Sequence, residues 1–141
     1  MDAFDADAVI YAGIPGHLLG RRVRALLAPV EVGDGVTAGC GSVLLLTEVL
    51  IKPERLALTR ELRALEELLA RLDLLACTAE IARLAVSLGA KHALRSIDAV
   101  HLATAVQAGA DRFITNNSSD FPKSIAEIDI TYPADLPEPE H

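Results

Sequence analysis

Acidic side chains at four widely separated places give this sequence its chemistry. Asp5 and Asp7 interrupt AFDADAVIY, a stretch otherwise apolar, and Glu48 is the single acid of SVLLLTEVLIK. Asp98 follows Ser96 at the head of SIDAVHLATAVQAG, and Asp120 closes the polar turn NNSSD before Phe121. Carboxylates brought within a few ångström repel one another, which raises their pKa values or demands divalent cations. At neutral pH the cation is the expected answer. Oxygen ligation without Cys or His suits Mg²⁺ or Mn²⁺ rather than zinc, and Mg²⁺ keeps several waters, so few direct protein ligands are needed. Such a metal activates a water and stabilises charge on a phosphodiester oxygen during in-line displacement. Phosphodiester hydrolysis is therefore the reaction expected of Asp5, Glu48, Asp98 and Asp120 if the chain brings them together.

The elements that must position these acids read as alternating strands and helices. Ala3 to Tyr11 is a strand candidate, because Val9, Ile10 and Tyr11 favour β structure. Asp5 and Asp7 then point to the same side of it and call for a cation or a donor; alternatively, Asp7 ends the strand and caps a turn. Glu48 lies in an apolar helix over Ser42 to Lys52, broken by Pro53, either partnered inside or at the edge of the stripe with its head in water. Ser96 is the expected N-cap of an almost wholly apolar helix stopped by Gly109, which puts Asp98 in the first turn where free N–H groups meet it. A short strand at Arg112 to Thr115 leads into the loop that carries Asp120.

The rest of the chain supplies the frame. A helix over His17 to Ala28 carries Arg21, Arg22 and Arg24, expected as a solvated face more than a phosphate contact. A short strand is expected within Val36 to Cys40, an amphipathic helix from Pro53 to about Leu72, and a strand at Leu74 to Thr78. A helix over Ala79 to Leu88 with Gly89 as its stop, and a last strand over Ile125 to Tyr132, complete the pattern. Alternation of this kind indicates a parallel α/β sheet with helices on both faces. Residues 1–132 read as a single domain, and residues 133–141 as an acidic, proline-rich tail expected to be loosely held.

Composition agrees with that frame. Hydrophobic residues make up 51% of the chain and aromatic ones only 4%, so the core must be built from Leu, Ala, Val and Ile. Cys40 and Cys77 have no metal spacing and are expected as reduced thiols. The longest uncharged run, Gly35 to Thr47, falls short of the roughly 20 residues of a membrane span, and the acidic N-terminus lacks a signal peptide's basic region. A cytoplasmic protein with no membrane partner is expected. The net charge of −7 argues against a generic nucleic-acid coat, which relies on many Lys and Arg contacts, but is compatible with a nuclease whose acids hold cations.

Taken in order, FDADAVIYA, TEVL, SIDAVHLATA and FITNNSSDF resemble PIN-domain ribonucleases, and especially VapC-type toxins of bacterial toxin–antitoxin pairs. The resemblance implies a PIN-like three-layer α/β/α fold with a small central, mainly parallel sheet. It also implies Mg²⁺-dependent RNA cleavage (Mn²⁺ as substitute) by Asp5, Glu48, Asp98 and Asp120, dimerisation, and inhibition by a small cognate antitoxin. Asp7 stands where the family usually has Asn, and Asn117 where some relatives carry an acid, so either Asp120 takes the fourth place or that ligand is weakened. Asp7 is expected to add a carboxylate beside the site, and Thr115 and Asn117 to support it by shaping the loop or holding water. Lys91, His92 and Arg95 are the candidates for meeting the RNA backbone beside the acids, and plain surface is the alternative. His101, one turn after Asp98, is read as a satisfied core histidine rather than a ligand.

Two rival readings stay in view. DADAV at 5 to 9 also fits the D-x-D-x-[TV] motif of haloacid-dehalogenase-like phosphatases, with Asp5 as nucleophile and Asp7 as acid and base. That chemistry needs a positioned Lys, for which only Lys91 is on offer, and a downstream acid pair that the chain lacks. A noncatalytic PIN-like binding module is the second rival.

Overall fold

A computed structural model describes residues 1–28 and 37–140. Its frame is a parallel sheet of five strands, β1 (Asp2–Phe4), β2 (Gly39–Ser42), β3 (Leu72–Leu75), β4 (Arg112–Ile114) and β5 (Asp129–Thr131), in the order β3-β2-β1-β4-β5. Among the described residues six α-helices cover it: α1 (Ala6–Ala12), α2 (Leu18–Leu26), α3 (Leu45–Arg55), α4 (Thr59–Leu69), α5 (Ala79–His92) and α6 (Ser96–Gln107). None of these helices is long and apolar enough to cross a membrane.

The strands face two cores, as period-2 alternation in a doubly covered sheet requires. Phe4 and Ile114 point into the core shared with α1 to α4, while their neighbours Ala3 and Phe113 point into the one shared with α5 and α6. The result is the three-layer α/β/α architecture expected from the sequence, with every strand parallel.

Several element boundaries differ from expectation, and each has a physical reason. β1 ends at Phe4 and Ala6–Ala12 is helical, because the Asp5 side chain accepts the Ala6 N–H and caps a helix. Helix α3 continues through Pro53 to Arg55; the proline forgoes its own bond to the Val49 carbonyl, and the turn beyond it is kept by the Leu56 N–H on the Lys52 carbonyl. Gly89 does not stop α5, which runs on to His92 and closes with Ala93 at φ 55°. What Gly89 provides is closeness: a Cβ there would stand 3.2 Å from that of Ala99 on α6. Arg95, not Ser96, occupies the N-cap of α6 and makes no side-chain cap bond. At the other end Gly109, at φ 70°, closes α6 as expected, with its N–H on the Val106 carbonyl and the Ala110 N–H on that of Ala105.

The strand expected within Val36 to Cys40 appears at Gly39–Ser42; Val36 lies outside the described residues. The strand expected over Ile125 to Tyr132 shortens to Asp129–Thr131 at the sheet edge. Of the segment expected to be loosely held, residues 134–138 are anchored. Leu136 is buried in the first core, and the Arg22 guanidinium donates to the carbonyls of Ala134 and Leu136 and reaches Glu138. Arg24 donates to the Ala12 carbonyl at the end of α1. These arginines hold backbone carbonyls, which is neither a purely solvated face nor a phosphate contact.

Gly20 is where α2 crosses α1. A Cβ at that position would sit 1.9 Å from the Tyr11 carbonyl oxygen, which is backbone and cannot step aside. Gly20→Ala is expected to destabilise the fold by about 3 kcal/mol, the upper end of overpacking costs. Urea unfolding checks this; a change below about 0.5 kcal/mol, the surface-substitution range, would mean the helices separate easily.

Candidate functional site

The sheet order places a switch point at β1 and β4: from β1 the chain crosses towards β2, and from β4 it moves outward to β5. Ligand crevices of open parallel sheets lie outside the carboxyl ends of the strands at such a point. Asp5 follows the end of β1, and Thr115 and Asn116 follow the end of β4. The ladder carries on past the strands, with the Asp5 N–H on the Ile114 carbonyl at 2.9 Å. Beyond it the Thr115 hydroxyl donates to Asp5 Oδ2 at 2.8 Å, while Asp5 Oδ1 accepts from Ala6 N at 2.9 Å. Thr115 Oγ1 in turn accepts from Asn117 N at 3.1 Å, so one hydroxyl ties Asp5 to the acidic loop. Asp7, in the first turn of α1, accepts the Asn116 N–H through both oxygens at 3.2 Å.

Asn117 shapes the loop itself. Its Nδ2 donates to Asp120 Oδ2 at 2.8 Å, and its Oδ1 accepts from Asp120 N at 3.1 Å and Ser119 Oγ at 3.0 Å. Phe121 seats the loop by burying its ring edge-on against Phe113, with centroids 5.0 Å apart. Helix α6 carries Asp98 in its first turn, buried at 7% exposure, and His101 three residues later on the same side of the helix. His101 Nε2 bonds Glu48 Oε1 at 2.7 Å, joining α6 on one face of the sheet to α3 on the other. The reading of His101 as a satisfied core histidine holds for its burial only: Nδ1 has no hydrogen-bond partner among the described residues, and Nε2 touches Glu48, one of the candidate acids. Its spacing from Asp98 was the signal available in the sequence.

The basic candidates divide. Lys91 Nζ and His92 Nε2 both bond Glu127, at 3.0 and 2.9 Å, which pulls the Glu127 carboxyl down to about 2. Arg95 alone of the three stands at the acids, its guanidinium 3.6 Å from Asp98 Oδ2 and 3.8 Å from Asp120 Oδ2, with the side chain 80% exposed. An exposed pair at that distance contributes little to stability, so the guanidinium is free to turn to another anion. The phosphatase reading loses its lysine, since Lys91 is engaged with Glu127.

Electrostatics tie the acids into one group. Burial and then the Asp7 charge push the Asp5 carboxyl up to about 7, against the opposing pull of His101 and Thr115. Asp7 is raised by burial, with Asp98 and Glu48 adding to it, and Asp98 is raised by burial, Asp120 and Glu48. The His101 imidazole is raised too: burial lowers it, but the Glu48 bond and the charges of Asp5, Glu48 and Asp98 outweigh this.

Whether these residues suit a divalent cation turns on which oxygens are free. Among the described residues no three His, Cys, Asp or Glu side chains converge as a ready ligand cage. Asp98 Oδ2, however, is buried with no hydrogen-bond partner, and Glu48 has one oxygen bonded and the other without a donor among the described residues. A buried bare carboxylate oxygen is costly, and a hard cation relieves it. The donor set fits a metal that keeps most of its water and takes one or two protein oxygens directly.

The sequence of residues 4–124 matches the PIN domain family. The fold superposes on a solved chain described as a toxin-antitoxin complex from Klebsiella pneumoniae with a TM-score of 0.69, covering 94% of this chain and 98% of that one at 22% identity. Likeness at that identity bears on the fold. No curated protein matches the chain in sequence.

Proposed function

The chain belongs to the PIN domain family, whose members are generally nucleases, and from that premise we propose that it is a Mg²⁺-dependent endoribonuclease of the cytoplasm. It acts as the toxin of a toxin–antitoxin pair, working as a homodimer held in check by a small antitoxin. The observation that carries the nuclease reading is the buried Asp98 Oδ2, which accepts no hydrogen bond and has the exposed Arg95 guanidinium at 3.6 Å, inside a set of acids whose charges raise one another's pKa. The kinship with a chain from a toxin-antitoxin complex supports the partner.

In this mechanism Asp98, Glu48 and Asp120 would hold the cation, with Asp5 beside them. When bound, the cation supplies the positive charge that a phosphodiester needs at its developing oxyanions and acidifies the attacking water. Thr115 Oγ1 and the Ala6 N–H fix the plane of the Asp5 carboxyl. Asp5, poised near neutrality, can hold a proton and release it when positive charge arrives. Arg95, exposed at the rim, turns from the acids to an RNA phosphate, where a guanidinium forms charge-assisted bonds.

The test is cleavage of an end-labelled RNA by purified protein. Endonucleolytic products are expected with Mg²⁺ or Mn²⁺ and none in EDTA. Intact RNA under saturating cation, from folded protein, would refute the reading. Hydrolysis of a small phosphate monoester instead would restore the phosphatase.

A further inference from the structure

His101 poses a problem that the fold alone does not answer. Its side chain is 0% exposed, and its Nδ1 has no hydrogen-bond partner among the described residues. A buried polar nitrogen without a partner costs stability, and an apolar residue of similar volume avoids that cost. A fully buried position on an α6 otherwise lined by buried Ala and Leu therefore favours a leucine or methionine over an imidazole. What the ring gains in exchange is a single bond, Nε2 to Glu48 Oε1 at 2.7 Å.

Glu48 needs that bond. It hangs from α3 with its side chain 28% exposed, has three rotatable torsions, and has no other hydrogen-bond partner for its carboxylate among the described residues. Without an anchor, a flexible half-exposed carboxylate turns to water and leaves the site undefined. The imidazole, by contrast, is locked by burial on the helix that carries Asp98 three residues earlier.

We infer that His101 is a positioning residue for Glu48. By clamping one carboxylate oxygen it fixes where the other can go, so α6 sets the placement of Asp98 directly and of Glu48 through the ring. The two helical layers are thereby held in register across the carboxyl edge of the sheet. This inference rests on the cation-dependent nuclease reading and assigns a role to a residue that reading does not use.

The experiment is calorimetric titration of Mn²⁺ into the metal-free chain, with RNA cleavage measured in parallel. His101→Leu is expected to weaken Mn²⁺ binding about 10- to 100-fold, the usual effect of removing a group that orients a ligand. His101→Gln, whose amide N–H can reach the same oxygen, is expected to keep most of the affinity, and the shorter His101→Asn to lose it. In a Glu48→Gln background His101→Leu is expected to add nothing, because the route through Glu48 is already gone. Should His101→Leu fail to fold, the Gln and Asn variants make the same comparison. Mn²⁺ affinity unchanged in His101→Leu, or weakened equally in the Glu48→Gln background, overturns the positioning role while wild-type cleavage leaves the nuclease intact. A wild-type chain that neither binds Mn²⁺ nor cuts RNA overturns both.

Discussion

Asp98→Asn is expected to slow RNA cleavage at saturating Mg²⁺ on the order of 10³-fold, the scale on which loss of one preorganised electrostatic group is felt. The reason lies in the environment. Asp98 is buried in the first turn of α6, with one oxygen that no donor satisfies, and Arg95 only 3.6 Å away to oppose the charges of Asp120 and Glu48. Asn keeps the volume but puts a neutral amide where a carboxylate stood, which removes one of the proposed ligands of the cation. The fold should not suffer, since removing one member of a mutually repelling group relieves strain in the metal-free state. Cleavage rates with circular dichroism as the folding control decide it. Activity within tenfold of wild type would mean that Asp98 is not part of the machinery.

The second large effect is on stability and has an unusual sign. Asp5→Asn is expected to make the metal-free protein more stable at pH 8, by on the order of a few kcal/mol. The folded Asp5 carboxyl is held up to about 7, whereas an unfolded one titrates near ~3.9. Between those values the folded chain holds a proton that the unfolded chain has lost, so stability falls as pH rises through the window from about 4 to about 7. Below it both states are protonated and the loss is absent; above it the loss is complete. Asp7 and Asp98, raised in the same direction, add to the slope. Asn at position 5 removes Asp5's share while keeping an oxygen for the Ala6 N–H, and its amide can donate to the Thr115 hydroxyl. Urea unfolding in EDTA across that pH range should show the two proteins converging near pH 4 and diverging above it. Saturating Mn²⁺ should narrow or reverse the difference, because wild type, with the fuller set of acids, gains more from binding. An Asp5→Asn variant less stable than wild type at pH 8 in EDTA would show that the carboxylate is not under strain.

How much of this could be read from the sequence depends on which forces were local. The α/β architecture, the helix carrying Asp98 and the Gly109 stop follow from hydrophobic pattern and cap chemistry, which adjacent residues reveal. The stretch after Asp5 departs from expectation for a local reason. Val9, Ile10 and Tyr11 favour β structure, but the cap at Asp5 and the spacing of Ala8, Val9 and Ala12 towards the core make a helix, and short apolar runs do not separate the two. The joint position of the Asp5, Asp7 and Thr115 groups comes from a parallel pairing of β1 with β4 across most of the chain, which no local pattern encodes. Glu127 lay in no motif, so nothing marked it as the partner that engages Lys91 and His92. The Glu48 to His101 bond joins two helices of different layers, and only their packing on the sheet brings it about.

The most direct test of the acid cluster as a cation site is Mn²⁺ titration of the metal-free wild-type chain at pH 7.5, in two buffers of different ionisation enthalpy. Saturable binding accompanied by release of a fraction of a proton is predicted, since a carboxyl held near pH 7 is still partly protonated at that pH and gives up the remainder as the cation enters. Absence of saturable heat, or binding that survives unchanged when Asp5 and Asp98 are both converted to Asn, would contradict the account.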